Sequence, residues 1–384
     1  MTTEAPILIH GTCDPAFAGL RETLRDNFAT RGEVGAAVAV YHHGRLVADL
    51  WGGIADPQSA TPWDRDSIVC MMSVGKGMAA LCLYRLIDRG AVDLDAPVAC
   101  YWPDFAQNGK DGITIRMLLG GKAGLVYADA APAGSAFNWD VMCQALAVQK
   151  PEWEPGTQGA YHSMTAGILF GEIIRRVDGR TVDVFFQEEI AGPLGVDFQF
   201  GLDDTDIERV ATIIPNPQSV TLNAINDSTS KLGRAWRIMP SKADFFNTDS
   251  FRRGVFPSAN GHGNARAVAR VFAALGNGGS LDGYHLLSPA LIDILRSLSW
   301  EGDCGLLDRR FRYGHGFFLS NELAPFGSNP RAFGHPGVGG AIGFSDPEAG
   351  LAFSYSPNFM CSGGGAGDRC EALIAATFAC IAPV

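Results

Sequence analysis

Strand-like segments sit at both ends of this chain, with helical patterns filling the middle. Toward the N-terminus, residues 34–41 and 45–51 read as strands joined by a His42-His43-Gly44 hairpin turn. Toward the C-terminus, residues 311–319, 340–346 and 351–357 are strand-like, and a helical pattern over 368–381 closes the chain. The simplest fold with this order pairs the terminal strands in one antiparallel sheet and inserts the helical middle between them. The expected class is α+β. The expected division is a discontinuous sheet domain, residues 1–66 together with 262–384, and a mainly helical domain over 67–261.

Phe17, Leu20, Leu24 and Phe28 recur at helical spacing and predict a helix over 15–31. A longer helix is predicted from Ser73 to Asp88, with Gly90 as its C-terminal stop. Further helices are predicted at 113–119, 137–148, 161–177, 181–190, 264–276 and 288–298, punctuated by Pro97, Pro103, Pro151, Pro155 and Gly156. Residues 203–262 are irregular and rich in Asn, Asp, Ser and Pro, yet carry Trp236, Phe245, Phe246, Phe251 and Phe256. A polar stretch with so many aromatics reads as a packed lid or pocket wall over about 203–261, not a free linker.

Charge and cysteine usage narrow the function. Lys plus Arg number 30 against 41 Asp plus Glu, a net charge of -11 over 384 residues. A surface this acidic repels phosphate backbones and anionic lipid heads, so neither nucleic acid nor a membrane is an expected partner. No apolar run approaches the ~18 residues of a membrane span. Met1-Thr2-Thr3-Glu4-Ala5-Pro6 has no basic region, and Ile7-Leu8-Ile9 is too short for a signal-peptide core, so a cytoplasmic protein is expected. The cysteines, 9 in number and without a C-x-x-C, read as buried reduced thiols. No H-E-x-x-H occurs and the histidines are scattered, so no metal and no cofactor are expected. No G-x-S-x-G elbow occurs either, which argues against an α/β-hydrolase.

The sharpest chemical candidate is Ser73-Val74-Gly75-Lys76, an S-x-x-K motif. Residues i and i+3 share a helix face, about 5–6 Å apart at Cβ. At a helix start the serine also meets free N–H groups and the positive dipole end. A lysine that acts as base needs its pKa lowered from ~10.4, and Met71, Met72 and Met78 offer the apolar surroundings for that. The alternative is an N-cap serine with a solvated lysine. A second copy, Ser228-Thr229-Ser230-Lys231, follows a polar loop with no helix predicted behind it.

Two other segments join it. Tyr161-His162-Ser163 follows the Glu154-Pro155-Gly156 turn and opens a predicted helix. A tyrosine whose pKa is lowered from ~10 by a neighbouring cation can relay a proton; otherwise it packs its ring at a helix start. Phe333-Gly334-His335-Pro336-Gly337-Val338-Gly339-Gly340 lies between strand-like stretches. Its glycines permit close substrate approach, and its backbone N–H groups can form an oxyanion hole; otherwise it is a Gly-rich hairpin turn.

Taken together, S-x-x-K near residue 70, Tyr-x-Ser near 160 and His-x-Gly ahead of a C-terminal strand resemble the serine β-lactamase and penicillin-recognising superfamily. Within it the resemblance is to the class C-like serine hydrolases and family VIII carboxylesterases. It spans essentially the whole chain and extends to Gly52-Gly53, Leu94-Asp95-Ala96-Pro97-Val98 and Thr114-Ile115-Arg116-Met117-Leu118-Leu119. It implies a β-lactamase-like fold, an antiparallel sheet flanked by terminal helices with an inserted helical domain. It implies Ser73 as acylated nucleophile, Lys76 as its base, and Tyr161 as the group that protonates the leaving group and activates the deacylating water. The N–H groups of Ser73 and Val338 would form the oxyanion hole. Ser163, His335 and Gly337 would contact substrate, and Trp236 and Phe256 are expected to wall the pocket.

The chain departs from that pattern in three places. Ser163 stands where an Asn is usual, and His335 where many relatives carry the lysine of K-T-G. An imidazole with a pKa near ~6.5 is mostly neutral at pH 7. Both changes argue against an efficient β-lactamase and toward neutral esters. Gly120-Gly121-Lys122-Ala123-Gly124-Leu125 lacks the Ser-His that relatives often show, which puts a local hydrogen bond in question. The expected function is a cofactor-free serine carboxylesterase acting on small short-acyl esters. β-Lactam or D-amino-peptide hydrolysis and acyl transfer share the same acyl-enzyme chemistry. A non-catalytic scaffold with the same fold is the alternative from another class. Oligomeric state is not written in these residues.

Overall fold

The computed structural model describes residues 7–240, 245–363 and 365–381. Among the described residues the principal sheet has ten strands. Its path runs His10–Cys13, Arg45–Asp56, Gly35–His42, Leu351–Pro357, Ile342–Asp346, Phe333–Pro336, Phe318–Leu319, Arg310–Tyr313 and Trp300–Asp303, with Thr61–Pro62 paired off this path. Every pairing is antiparallel. The two ends of the chain meet at its centre, from Ala36 opposite Pro357 to His42 opposite Leu351.

Local chemistry explains much of this. His43 and Gly44 both have positive φ, 48° and 73°, the two-residue geometry whose twist matches flanking antiparallel strands. All of Leu351–Pro357 is buried, as befits a central strand covered on both faces. The helix Ala265–Gly276 packs on three of these strands. It can do so because position 343 is glycine: a Cβ there would lie 2.3 Å from Val268 Cγ1 and 2.7 Å from Phe272 Cε2.

Sequence periodicity missed several short strands, three of them in the principal sheet for clear physical reasons. His10–Cys13 and Trp300–Asp303 are edge strands, largely solvent-exposed and without apolar alternation. Phe333–Pro336 is short and contains Gly, His and Pro. The run expected as one strand over 311–319 is a hairpin, Arg310–Tyr313 paired with Phe318–Leu319, turned at Gly316 (φ 87°).

The helix Val74–Asp88 starts behind Ser73 at its N-cap and ends just before Gly90, whose φ is 72°. It is buried almost all round, the mark of a core helix, and packs on the helix Ala166–Asp178 and the strand Phe333–Pro336. The helix expected from residue 161 begins at Ala166 instead, leaving Tyr161 and Ser163 in the turns before it. Among the described residues of 203–262 are four short α-helices, Asp204–Ile207, Val220–Asn226, Lys231–Trp236 and Asp249–Arg253, each capped by a side chain of the preceding residue, and a 3-10 turn at Phe245–Asn247. The expectation of no helix behind Ser228–Lys231 is thus corrected: Ser230 Oγ accepts the Gly233 N–H and caps one. Among the described residues no helix is long and apolar enough to cross a membrane.

The first and last long helices, Ala18–Thr30 and Gly367–Ala379, pack together. A buried ion pair ties them down: Arg369 donates to Glu33 at 2.6 Å, and the Tyr355 hydroxyl donates to the other Glu33 oxygen. Glu33 is 5% and Arg369 4% exposed. Removing one partner strands a buried charge, so Arg369→Ala is expected to cost about 3–5 kcal/mol. Urea unfolding monitored by circular dichroism reads this as a lowered midpoint. A loss under ~1 kcal/mol would show that the pair does not join the chain ends.

Candidate active site

Ser73 is presented by a strained turn. Met72 has φ +50°, a left-handed conformation that costs a non-glycine residue roughly 1–3 kcal/mol. The turn is pinned by the Met71 N–H to the Gly261 carbonyl at 2.8 Å. Gly337 presses on it from the other side, since a Cβ there would lie 2.5 Å from the Met71 carbonyl oxygen. This close approach brings Val338 into the same cavity as Ser73.

Lys76 lies one helical turn on, 1% exposed, with Nζ 2.8 Å from Ser73 Oγ. Its other partner is the Ser258 carbonyl, to which Nζ donates. Burial pushes the Lys76 pKa well below the usual lysine value, because the ammonium form loses its water. Lys76 Nζ thus sits between the Ser258 carbonyl and Ser73 Oγ, within hydrogen-bond reach of both.

Tyr161 completes the group. Lys76 Nζ sits 5.0 Å from its ring centroid. Phe318 and His335 flank the ring at 5.3 and 5.8 Å, and Phe311 and Tyr313 at 6.5 Å. Burial raises the phenol pKa well above its usual value and outweighs the opposing hydrogen bond with Ser73. The expected cation-lowered tyrosine is therefore corrected: burial raises the phenol pKa instead, and Tyr161 keeps its proton. Its backbone is anchored by the Tyr161 N–H to Cys304 Sγ at 3.3 Å and the Ala160 N–H to the Gly121 carbonyl at 2.8 Å. The loop without Ser-His is held by other means: the Leu125 N–H donates to His162 Nε2 at 3.2 Å, and Thr165 Oγ1 donates to the Leu125 carbonyl at 2.6 Å. Burial pulls His162 down to about 4, so it is a neutral acceptor at pH 7.

These groups open on a cavity of about 480 Å³. Ser73, Tyr161, Ser163, Gly337, Val338 and Trp236 line it, with Leu306, Leu307, Phe311, Phe318 and Leu323. Lys231, Asp308 and Arg309 add charge to the lining. Two expected contacts fall outside it. His335 is fully buried, its ring against Phe318 at 5.2 Å and its Nδ1 2.8 Å from the Pro336 carbonyl. Burial pulls it to about 3, so it is neutral packing against Tyr161. Phe256 is also fully buried, edge-on to Phe137 at 6.3 Å in an aromatic cluster away from the cavity lining. Among the described residues no group of three or more His, Cys, Asp or Glu is placed to hold a metal ion.

A sequence model of the beta-lactamase family matches residues 20–376. The chain belongs to the beta-lactamase family. A relative, the esterase/beta-lactamase LipL of Mycobacterium tuberculosis, is 35% identical over 369 residues, covering 92% of this chain and 84% of LipL. A solved family VIII carboxylesterase superposes with a TM-score of 0.88 at 35% identity, covering 97% of this chain and 100% of that one. A penicillin-binding protein homolog from Caulobacter crescentus does so with a TM-score of 0.87 at 37% identity, again covering 97% and 100%. This beta-lactamase family member is a serine hydrolase with the β-lactamase-like α+β fold.

Sequence reasoning missed how this beta-lactamase family site holds its lysine. The Ser258 carbonyl meets Lys76, and Ser258 Oγ accepts the Gly167 N–H at 2.8 Å. Asn260 sets the loop, accepting the Phe256 N–H at 3.0 Å and donating to the Phe251 and Gly254 carbonyls at 2.8 and 2.5 Å. The readable signal was Gly75, inside the S-x-x-K motif: a Cβ there would meet the Pro257 carbonyl at 2.7 Å. Gly75→Ala must push the 257–258 backbone off Lys76. It is expected to lower kcat on an ester at least about tenfold with little change in KM, since small misplacements are costly at a reacting centre. Steady-state kinetics check this, and an unchanged kcat would show that the Ser258 carbonyl is dispensable.

Proposed function

We propose that this protein is a carboxylesterase that hydrolyses small, short-acyl esters through an acyl-Ser73 intermediate. One observation carries the reading: Ser73 Oγ lies 2.8 Å from a buried amine, at a largely apolar cavity of about 480 Å³. Neutral Lys76 takes the Ser73 proton as Oγ attacks the ester carbonyl. The amides of Ser73 and Val338 receive the oxyanion. The Tyr161 phenol protonates the departing alkoxide and recovers its proton from the Lys76 ammonium. Water then attacks the acyl group, its proton passing to Lys76 and on to Ser73 as the acid leaves. No cofactor enters this cycle.

Ester preference is supported by the electrical neutrality of the interior: His335, at the K-T-G position, is buried and uncharged and offers no cation to a β-lactam carboxylate. The printed names of LipL and of the family VIII carboxylesterase agree with it. A second reading, β-lactam or D-amino-peptide hydrolysis, is supported by Lys231 and Arg309 in the cavity lining, two cations able to meet a carboxylate. We also read the protein as cytoplasmic, supported by nine cysteines that are all free thiols.

Ser73→Ala is expected to abolish p-nitrophenyl butyrate hydrolysis, leaving the background rate, while the wild type turns the ester over faster than a chromogenic cephalosporin. Equal activity in both proteins would remove Ser73 from the mechanism.

The pH profile follows from the protonation states. Lys76 is active when neutral and its pKa is lowered, so kcat/KM should fall only on the acid side, as Lys76 gains a proton. His335, at about 3, adds no inflection near 6.5, and Tyr161, raised well above 10, adds no alkaline loss below that pH. A limb near pH 6.5 that disappears in His335→Asn would contradict this assignment.

A further inference from the structure

Trp236 lines two cavities at once. One is the catalytic cavity of about 480 Å³; the other, about 560 Å³, is lined by Ile225, Met239, Pro240 and Phe245, with exposed Asn226, Ser228 and Arg237 adding polar surface and exposed Ala133 also bordering it. The indole is 6% exposed and stands edge-on to Phe245 at 6.1 Å. Its N–H is buried without a partner among the described residues, so packing and not a hydrogen bond holds the ring.

The helix that carries it, Lys231–Trp236, is clamped independently of residue 236. Arg234 pairs with Asp129 at 2.6 Å and Glu152 at 3.0 Å and lies 3.7 Å over the Tyr127 ring. Arg237 donates to the Asp129 and Ala131 carbonyls at 2.8 Å. These clamps hold the helix whatever side chain stands at position 236.

We propose that Trp236 sets the upper length of the acyl chain, and that the cavity behind it is a latent subsite for longer aliphatic acyl groups. The inference rests on the carboxylesterase reading and deepens it. Ile225, Met239, Pro240 and Phe245 give a chain passing position 236 apolar surface to cover.

The test compares kcat/KM for p-nitrophenyl butyrate and p-nitrophenyl dodecanoate. The proteins are the wild type, Ser73→Ala, Trp236→Ala, Trp236→Leu and the double variant Trp236→Ala with Ala133→Trp. The dodecanoate-to-butyrate ratio should rise about tenfold or more in Trp236→Ala, in line with added methylenes finding a pocket. It should rise less in Trp236→Leu and fall back in the double variant, where a new indole refills the second cavity. An unchanged ratio in Trp236→Ala overturns the proposal, as does a double variant that keeps the gain. Should Trp236→Ala not fold, Trp236→Leu decides alone, and an unchanged ratio there overturns it. If the wild type hydrolyses neither ester, or Ser73→Ala stays active, the esterase reading falls and this inference with it. If hydrolysis depends on Ser73 and only the ratio fails to move, this inference alone falls.

Discussion

The burial of Lys76 is the constraint on which the rest of the site depends. Taking an amine out of water costs several kcal/mol unless it neutralises or is hydrogen-bonded; here it is hydrogen-bonded and its burial favours the neutral form. Its length of helix is enclosed because the residues on either side of it are glycines. A Cβ on Gly75 would strike the Pro257 carbonyl, and one on Gly77 would come within 3.0 Å of Phe317. With side chains at those two positions the loop carrying the Ser258 carbonyl and the strand carrying His335 could not close on Lys76. The strained Met72 and the abutting Gly337 follow from the same closure, since the chain must turn sharply to enter a helix that the sheet already covers.

Closure also sets the electrostatics. Lys76, Tyr161 and His335 are all displaced by desolvation toward their uncharged forms. Burial thus disfavours fixed charge in the resting interior. Backbone N–H groups, here those of Ser73 and Val338 in the proposed reaction, act strongly in so dry a setting. Formal charge is kept to the cavity's outer lining, where exposed Lys231 and Asp308 approach at 3.3 Å. An interior of this kind suits an uncharged ester in the proposed reaction.

The order of strands and helices was legible in the sequence because buried strands such as Leu351–Pro357 and amphipathic helices such as Ala265–Gly276 write their burial into apolar pattern. Edge strands do not, and His10–Cys13 went unseen. Ser73, Lys76 and Tyr161 were legible as residue types at characteristic spacings, and the structure brings them together. Their protonation states were only half legible. Desolvation of Lys76 was foreseen from its methionine neighbours, but the same desolvation acts on Tyr161 and reverses the shift expected there. Ser258 and Asn260 were invisible because they act through a main-chain carbonyl and a loop scaffold, which leave no motif. Phe256 was misplaced because an aromatic in a polar segment reads alike whether it faces a cavity or the cluster behind it.

The central claim is that desolvation alone makes Lys76 the base. It is tested most directly by ¹⁵N-labelling the lysines and following the Lys76 amine by NMR against pH in the free protein, with Lys76→Arg to assign the signal. The account predicts an amine that titrates well below the ordinary lysine range and is neutral at the pH of turnover. An ordinary ammonium, protonated throughout the range where the enzyme works, would contradict it.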